Sequence, residues 1–324
     1  MTNEQITYLV FGIVIILALL FDLGLLSKKG QVVTIKKAML QTAFWVILSF
    51  CFFAFVWWED GKTAAFEYIS AYLMEWSLSI DNIFVFILIF SSFGVKEKHY
   101  GRVLLIGILM AIVFRVIFIT VGVTLVNKFE WILYIFGTFL LYTGVKMFLP
   151  GRDEEEKDPH DYMIYRWIKK VIPLVSHDGD GKFIVREGGK KKHTILFVVV
   201  LMLAAIDIVF ALDSIPAVMG ISRHPMIIYT SNIFAVLGLR SLFFLLRGAV
   251  DKFDYLQQGI AIVLVFIGLK MLGEHWISGW FNKSQQVAIS LGVIVACITG
   301  SILYSIFKKK KGLPEEVKDG SIHL

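Results

Sequence analysis

Charge is scarce in this chain. Of 324 residues only 18% are Asp, Glu, Lys or Arg, while 57% are hydrophobic, against roughly a quarter charged in an ordinary soluble domain. A soluble globular protein is thereby excluded. Cysteine is scarcer still: Cys51 and Cys297 both lie inside apolar runs, where they are expected to serve as small packing residues rather than as a disulfide framework. Imidazole is missing where it would matter. All seven histidines (99, 160, 177, 193, 224, 275 and 323) fall in loops, tails or the ends of apolar runs, so a zinc or copper site at membrane depth is not expected. No Lys or Arg precedes the first apolar run. Without a positive n-region that run reads as a retained membrane span, not a cleavable signal.

What is present is a succession of long apolar runs, nine in all, at roughly 7–26, 38–58, 66–93, 102–125, 130–149, 194–219, 225–248, 256–273 and 284–306. Most hold enough residues to cross about 30 Å of hydrocarbon as helix. The expected fold is an all-α polytopic membrane protein of about nine transmembrane helices. With the N-terminus outside, 24 of the 32 Lys and Arg residues fall in cytoplasmic loops and the C-terminal tail, which is the asymmetry that sets orientation. The net charge of +6 is therefore a topology signal and implies no nucleic-acid partner. Trp57, Trp58, Trp131, Trp276 and Trp280 gather at expected outer interfaces. Asp22 lies near the cytoplasmic end of the first run, where capping or snorkelling suffices.

Two runs carry acids in related patterns. Glu75-Trp-Ser-Leu-Ser-Ile-Asp81-Asn82 matches Asp207-Ile-Val-Phe-Ala-Leu-Asp213-Ser214: acid, five residues, acid, then a small amide or hydroxyl. Arg115 in "FRV" answers Arg240 in "LRS", "VNKFE" answers "VDKFD", and "YTGVKMF" answers "FIGLKML". Each unit holds three spans, so the second enters from the opposite face. An inverted three-helix repeat is expected, of the kind that places transporter sites near the midplane. Residues 1–65 then form two leading helices, 66–149 the first repeat, 150–193 a cytoplasmic loop, 194–273 the second repeat, and 274–324 a last helix with a basic tail.

A spacing of seven puts Glu75 with Asn82, and Asp207 with Ser214, on one stripe of a helix, with Asp81 and Asp213 about a quarter-turn away. Converging all of them requires neighbours on two sides or a broken helix. Pro216, which lacks an N–H and crowds the carbonyl of Leu212, is the expected break. Four acids and two arginines within the runs leave a formal minus two, which one dication or two protons would neutralise. Static pairing of the arginines with the acids is the plain alternative. Carboxylates, an amide and a hydroxyl are hard donors suited to Mn²⁺, Mg²⁺ or Ca²⁺. "DGDG" at 178–181 reads as a turn, since Lys182 stands where a calcium loop needs a ligand. "REGGKKKH" reads as a solvated charge run.

The segments "EWSLSIDNIFVFILIFSSF", "RVIFITVGVTLV", "YIFGTFLLYTGVKMF", "FALDSIPAV" and "YTSNIFAVLGLRSLFFLL" resemble the TerC/Alx family of integral membrane proteins. The resemblance implies manganese homeostasis, chiefly Mn²⁺ export from the cytoplasm, and a link to tellurite resistance. It implies a bacterial inner membrane, with the intramembrane acids Glu75, Asp81, Asp207 and Asp213 beside Asn82 and Ser214. Two departures stand out: Ala204 where many relatives have glutamate, and Trp76 where lysine often follows. The expected ligands of a transported ion are Asp81 and Asp213 first, then Glu75 and Asp207 as ligands or proton carriers, with Asn82 and Ser214 beside them and Arg115 and Arg240 as counter-charges. No resident cofactor and no catalysis are expected. A scaffold for an envelope-stress, tellurite-resistance or secretion complex, or an intramembrane aspartyl enzyme, are the other classes.

Overall fold

The computed structural model describes residues 3–21, 33–148, 177–247 and 255–311, with several residues between 165 and 175. In hydrocarbon every backbone N–H and C=O must be satisfied within the segment, which leaves the helix as the default for these apolar runs. Ten helices form among the described residues: α1 (Asn3–Phe21), α2 (Ile35–Glu59), α3 (Gly61–Ser92), α4 (Glu97–Lys128), α5 (Ile132–Phe148), α6 (Ile195–Ile221), α7 (Pro225–Leu246), α8 (Leu256–Leu272), α9 (Glu274–Trp280) and α10 (Lys283–Lys311). Five of these, α2, α4, α6, α7 and α10, are long and apolar enough to cross a membrane by length and composition. A sixth span is reached if α8 and the short α9, bent 83° from it, are counted together. The apolar stretches of α1 and α5, Gln5–Leu20 and Ile132–Met147, are shorter. In α3 the acids Glu67, Glu75 and Asp81 interrupt the apolar sequence.

The bundle surface is greasy. Leu17, Ile47, Val113 and Ile117 are each more than half exposed, as expected where lipid rather than water is the neighbour. The interior is built around α7, from Met226 to Leu246 almost wholly buried. Pro225 occupies its first turn, where a missing N–H costs nothing. α3 packs along α7, α4 along α6, and α5 along α8, while α2 covers α7 from outside and α10 lies on α3 and α8. The α5–α8 contact is close because glycines meet across it. A Cβ on Gly268 would stand 2.7 Å from the Gly137 carbonyl oxygen, and one on Gly144 2.9 Å from that of Ala261.

Two expectations need correction. Pro216 does not break its span: α6 runs unbroken from Ile195 to Ile221 with the proline inside. Convergence of the polar groups is instead achieved by neighbouring helices. The second correction concerns "REGGKKKH", which is no simple charge run. Ile184–Glu187 (β1) pairs antiparallel with Lys190–His193 (β2), Glu187 facing Lys190. The turn is Gly188-Gly189, both at positive φ, the conformation a two-residue hairpin of this hand requires.

The segment leading into the hairpin is docked against the first turns of α4. The DGDG segment is a turn, as its sequence suggests, with Gly179–Gly181 in a single 3-10 turn. Lys96 Nζ lies 2.8 Å from Asp178 and holds that carboxyl below the usual range. Arg102 donates to the Gly181 carbonyl at 2.9 Å and stacks over Phe183 at 4.7 Å.

Candidate functional site

The most polar point of the interior is Arg115, half-way along α4 and 1% exposed. Its guanidinium forks onto Asp207 of α6: Nε donates to Oδ2 and Nη2 to Oδ1, both at 2.9 Å. Its Nη1 donates to Glu75 Oε1 of α3, to Asn232 Oδ1 of α7 at 3.1 Å and, weakly, to Ser214 Oγ of α6 at 3.4 Å. One arginine thus joins four helices. The bidentate geometry toward Asp207 is the strong form of such a bond, and it is made where a lone charge is expensive.

Glu75, Asp207 and Asn232 are almost completely buried. Asn232 is oriented by its own helix, its Nδ2 donating to the Ile228 carbonyl at 3.0 Å, which leaves Oδ1 for the guanidinium. Glu75 Oε2 has no hydrogen-bond partner among the described residues. Two carboxylates against one guanidinium leave a formal excess of one negative charge here. A bound cation or proton would neutralise that excess.

Of the residues expected from sequence, Glu75, Arg115, Asp207 and Ser214 come together. Asn82 lies buried two turns further along α3, its Nδ2 without a partner among the described residues. Arg240 is buried on α7. The side chains of Asp81 and Asp213 lie outside the described residues, as does Asp22. Among the described residues no three His, Cys, Asp or Glu side chains are grouped to hold a metal. Asn232 was not singled out from sequence, although an amide in the apolar run "SNIFAVLGL" was a signal of the same kind as Asn82.

Around this centre the packing is tight. A crevice with Asp207 in its wall, between Phe86, Gly107, Ala111 and Leu239, is too narrow for water. A roomier cavity lies elsewhere, about 360 Å³ beside the C-terminal end of α6, with Arg223, Lys270 and Glu274 in its lining. Two cations against one acid make a poor seat for a metal ion. The charged centre, not the roomy cavity, is the candidate site.

Comparison with known proteins agrees with the sequence resemblance. The profile of the integral membrane protein TerC family matches residues 60–313. A Myxococcus xanthus membrane protein, STKORF319, is 42% identical over 91% of this chain and 90% of its own. A Rickettsia felis membrane protein is 38% identical over 94% of this chain and 98% of its own. The Escherichia coli K12 protein that carries the name of a membrane-bound redox modulator, Alx, is 40% identical over 88% and 89% of the two chains. No solved structure matches. With a multi-pass helical bundle, charges buried at its centre and a family match across most of its length, the chain belongs to the integral membrane protein TerC family.

Proposed function

We propose that this protein carries a hard divalent cation, Mn²⁺ foremost, out of the cytoplasm by alternating access around the Arg115 centre. The single observation that carries the reading is the sharing of one guanidinium by two buried acids on two helices, with one Glu75 oxygen left over. Buried acids and a guanidinium cost energy in a bilayer unless something repays them. Here the guanidinium acts as a resident counter-ion. An arriving dication takes the acids, and Arg115 withdraws toward Asn232 and Ser214. The donors are carboxylate, amide and hydroxyl oxygens, which suit Mn²⁺, Mg²⁺ and Ca²⁺ rather than softer metals. Protons, moving the other way, would occupy the same carboxylates.

The inverted repeat, with nine spans, belongs to this reading. It is supported by the exchange of packing partners: if α3, α4 and α5 correspond to α6, α7 and α8, then α3 on α7 is the counterpart of α6 on α4, and α5 meets its own equivalent α8. A bacterial inner-membrane location is supported by the bacterial relatives, and an outside N-terminus with a cytoplasmic C-terminus by the distribution of Lys and Arg.

The test is Mn²⁺ flux into proteoliposomes reported by a trapped quenchable dye, comparing wild type with Asp207→Asn and Asp213→Asn at equal reconstitution. Wild type should conduct, and each variant should lose at least about tenfold in rate. Flux in Asp207→Asn equal to wild type would remove the centre from the mechanism; no wild-type flux under either proton gradient would favour a scaffold role.

A further inference from the structure

The cavity of about 360 Å³ beside the end of α6 has a size and a lining that the Arg115 centre does not explain. Its volume falls in the range of about 300–1,000 Å³ that small-molecule sites occupy. Its walls come from the ends of α6 and α8, from α9, and from the opening turns of α5 and α10. Positive charge is in excess there. Arg223, in the turn between α6 and α7, and Lys270, in the last turn of α8, stand with one acid, Glu274 at the start of α9. Arg223 pairs with Glu274 through Nη2, which engages one of the five N–H groups of a guanidinium. Lys270 is fixed on the wall: its Nζ donates to the Gly220 carbonyl of α6 at 3.2 Å and to Ser290 Oγ of α10 at 3.1 Å. That ammonium covers the carbonyl end of α6, whose partial negative charge would otherwise discourage an anion. α10 contributes its N-terminal end through Gln286 and Val287, the end of a helix that favours negative charge.

Two cations and one acid leave a formal plus one, the complement of one phosphodiester. The rest of the lining is largely apolar, with Leu133, Met219, Ile221 and Met271. A free oxyanion has no use for such a wall, whereas a lipid headgroup brings a glycerol backbone and the first methylenes of its chains. Position agrees with this. α9, which gives Glu274 and Ser278 to the lining, also carries the exposed Trp276 and Trp280, and such rings settle at the level of the headgroups. A zwitterionic lipid would set its own ammonium beside Arg223 and Lys270, so the charge selects an anionic one.

The geometry points to a binding site for an anionic phospholipid in this cavity, with the phosphodiester between Arg223 and Lys270 and the glycerol against Met219 and Met271. Arg223 supplies the planar, multiply donating contact that suits phosphate, and Lys270 supplies a fixed point charge. Bound there, the lipid joins the α6-to-α7 turn, α8 and α10 at one level. The site stands apart from the Arg115 centre and does not depend on the transport reading.

The experiment uses full-length protein, delipidated in a neutral detergent, and reads the thermal midpoint together with the lipid retained in native mass spectrometry. The probes are dioleoyl phosphatidylglycerol, dioleoyl phosphatidylcholine and inorganic phosphate. Phosphatidylglycerol should raise the midpoint saturably, because a ligand of the folded state alone stabilises it; the other two should not. Arg223→Gln should weaken the apparent affinity for phosphatidylglycerol about tenfold, and Arg223→Lys should lose less. Ser278→Trp fills the cavity without touching a charge and should abolish both the shift and the retained lipid. Arg223 and Ser278 are exposed, and each variant is checked for a wild-type elution profile. Lys128→Gln removes an exposed cation at the end of α4, outside the cavity lining, and should behave as wild type. A phosphatidylglycerol shift undiminished in Arg223→Gln and Ser278→Trp overturns the site. An equal loss in Lys128→Gln overturns it too, since general surface charge would then explain the binding. An equal shift from phosphatidylcholine leaves only apolar contact and rejects the charge selection, while an equal shift from inorganic phosphate makes this a free-anion site and rejects the lipid. Should Ser278→Trp fail to fold, Arg223→Gln against Lys128→Gln decides alone.

Discussion

At the scale of single residues, the interior is organised by Arg115. Removing a partner from a buried ion pair costs more than the pair is worth, because the remaining charge is stranded. Arg115→Met strands Glu75 and Asp207 together. It is expected to lose about 3–5 kcal/mol of stability, seen as a large drop in the thermal midpoint of detergent-solubilised protein. Asp207→Asn added to Arg115→Met should recover part of that loss, and additive effects of the two changes would show that the fork is not coupled. Most of this centre was legible beforehand, since Glu75, Asp207 and Arg115 are charges in apolar runs and the repeat aligned them. Asn232 was not, being neutral and carrying no charge to count.

At the scale of elements, the apolar runs became helices as their composition required, but two local readings failed for physical reasons. Pro216 costs a helix one hydrogen bond and a clash, yet Ile215 before it and Ala217 after it, both buried, show the helix clamped by packing on either side of that defect. The hairpin is hard to read from sequence because its strands are four residues each and the second is three lysines and a histidine. Gly188-Gly189 was the one cue. The α5–α8 seam was also invisible, since glycine in an apolar run says nothing about its partner. Its close approach can be tested. Gly268→Ala places a methyl against backbone, which cannot yield as a side chain would, and should destabilise by about 1–3 kcal/mol. Gly292→Ala, with open space around it on α10, should be neutral in the same thermal assay; equal effects at both positions would argue against the seam.

For the whole molecule, the tryptophans mark one end. Among the described residues Trp58, Trp276 and Trp280 are the most exposed of the large apolar side chains, at 81%, 72% and 86%, and α9 carries two of them on a segment bent sharply from α8. Such rings prefer the headgroup level. Lipids brominated near the glycerol should quench the Trp276 and Trp280 emission more than lipids brominated at the chain ends, read from variants retaining only those two tryptophans. Stronger quenching by the deep label would place α9 in the hydrocarbon and undo the assignment of that end to an interface. The opposite end bears the hairpin. α4 is one unbroken helix from Glu97 to Lys128, anchoring the DGDG turn through Lys96 and Arg102 at its start and presenting Arg115 at its middle. A rigid-body tilt of α4 that withdrew the guanidinium from the acids would swing its starting turn too, so the DGDG turn would either ride along as ballast or be shed each time.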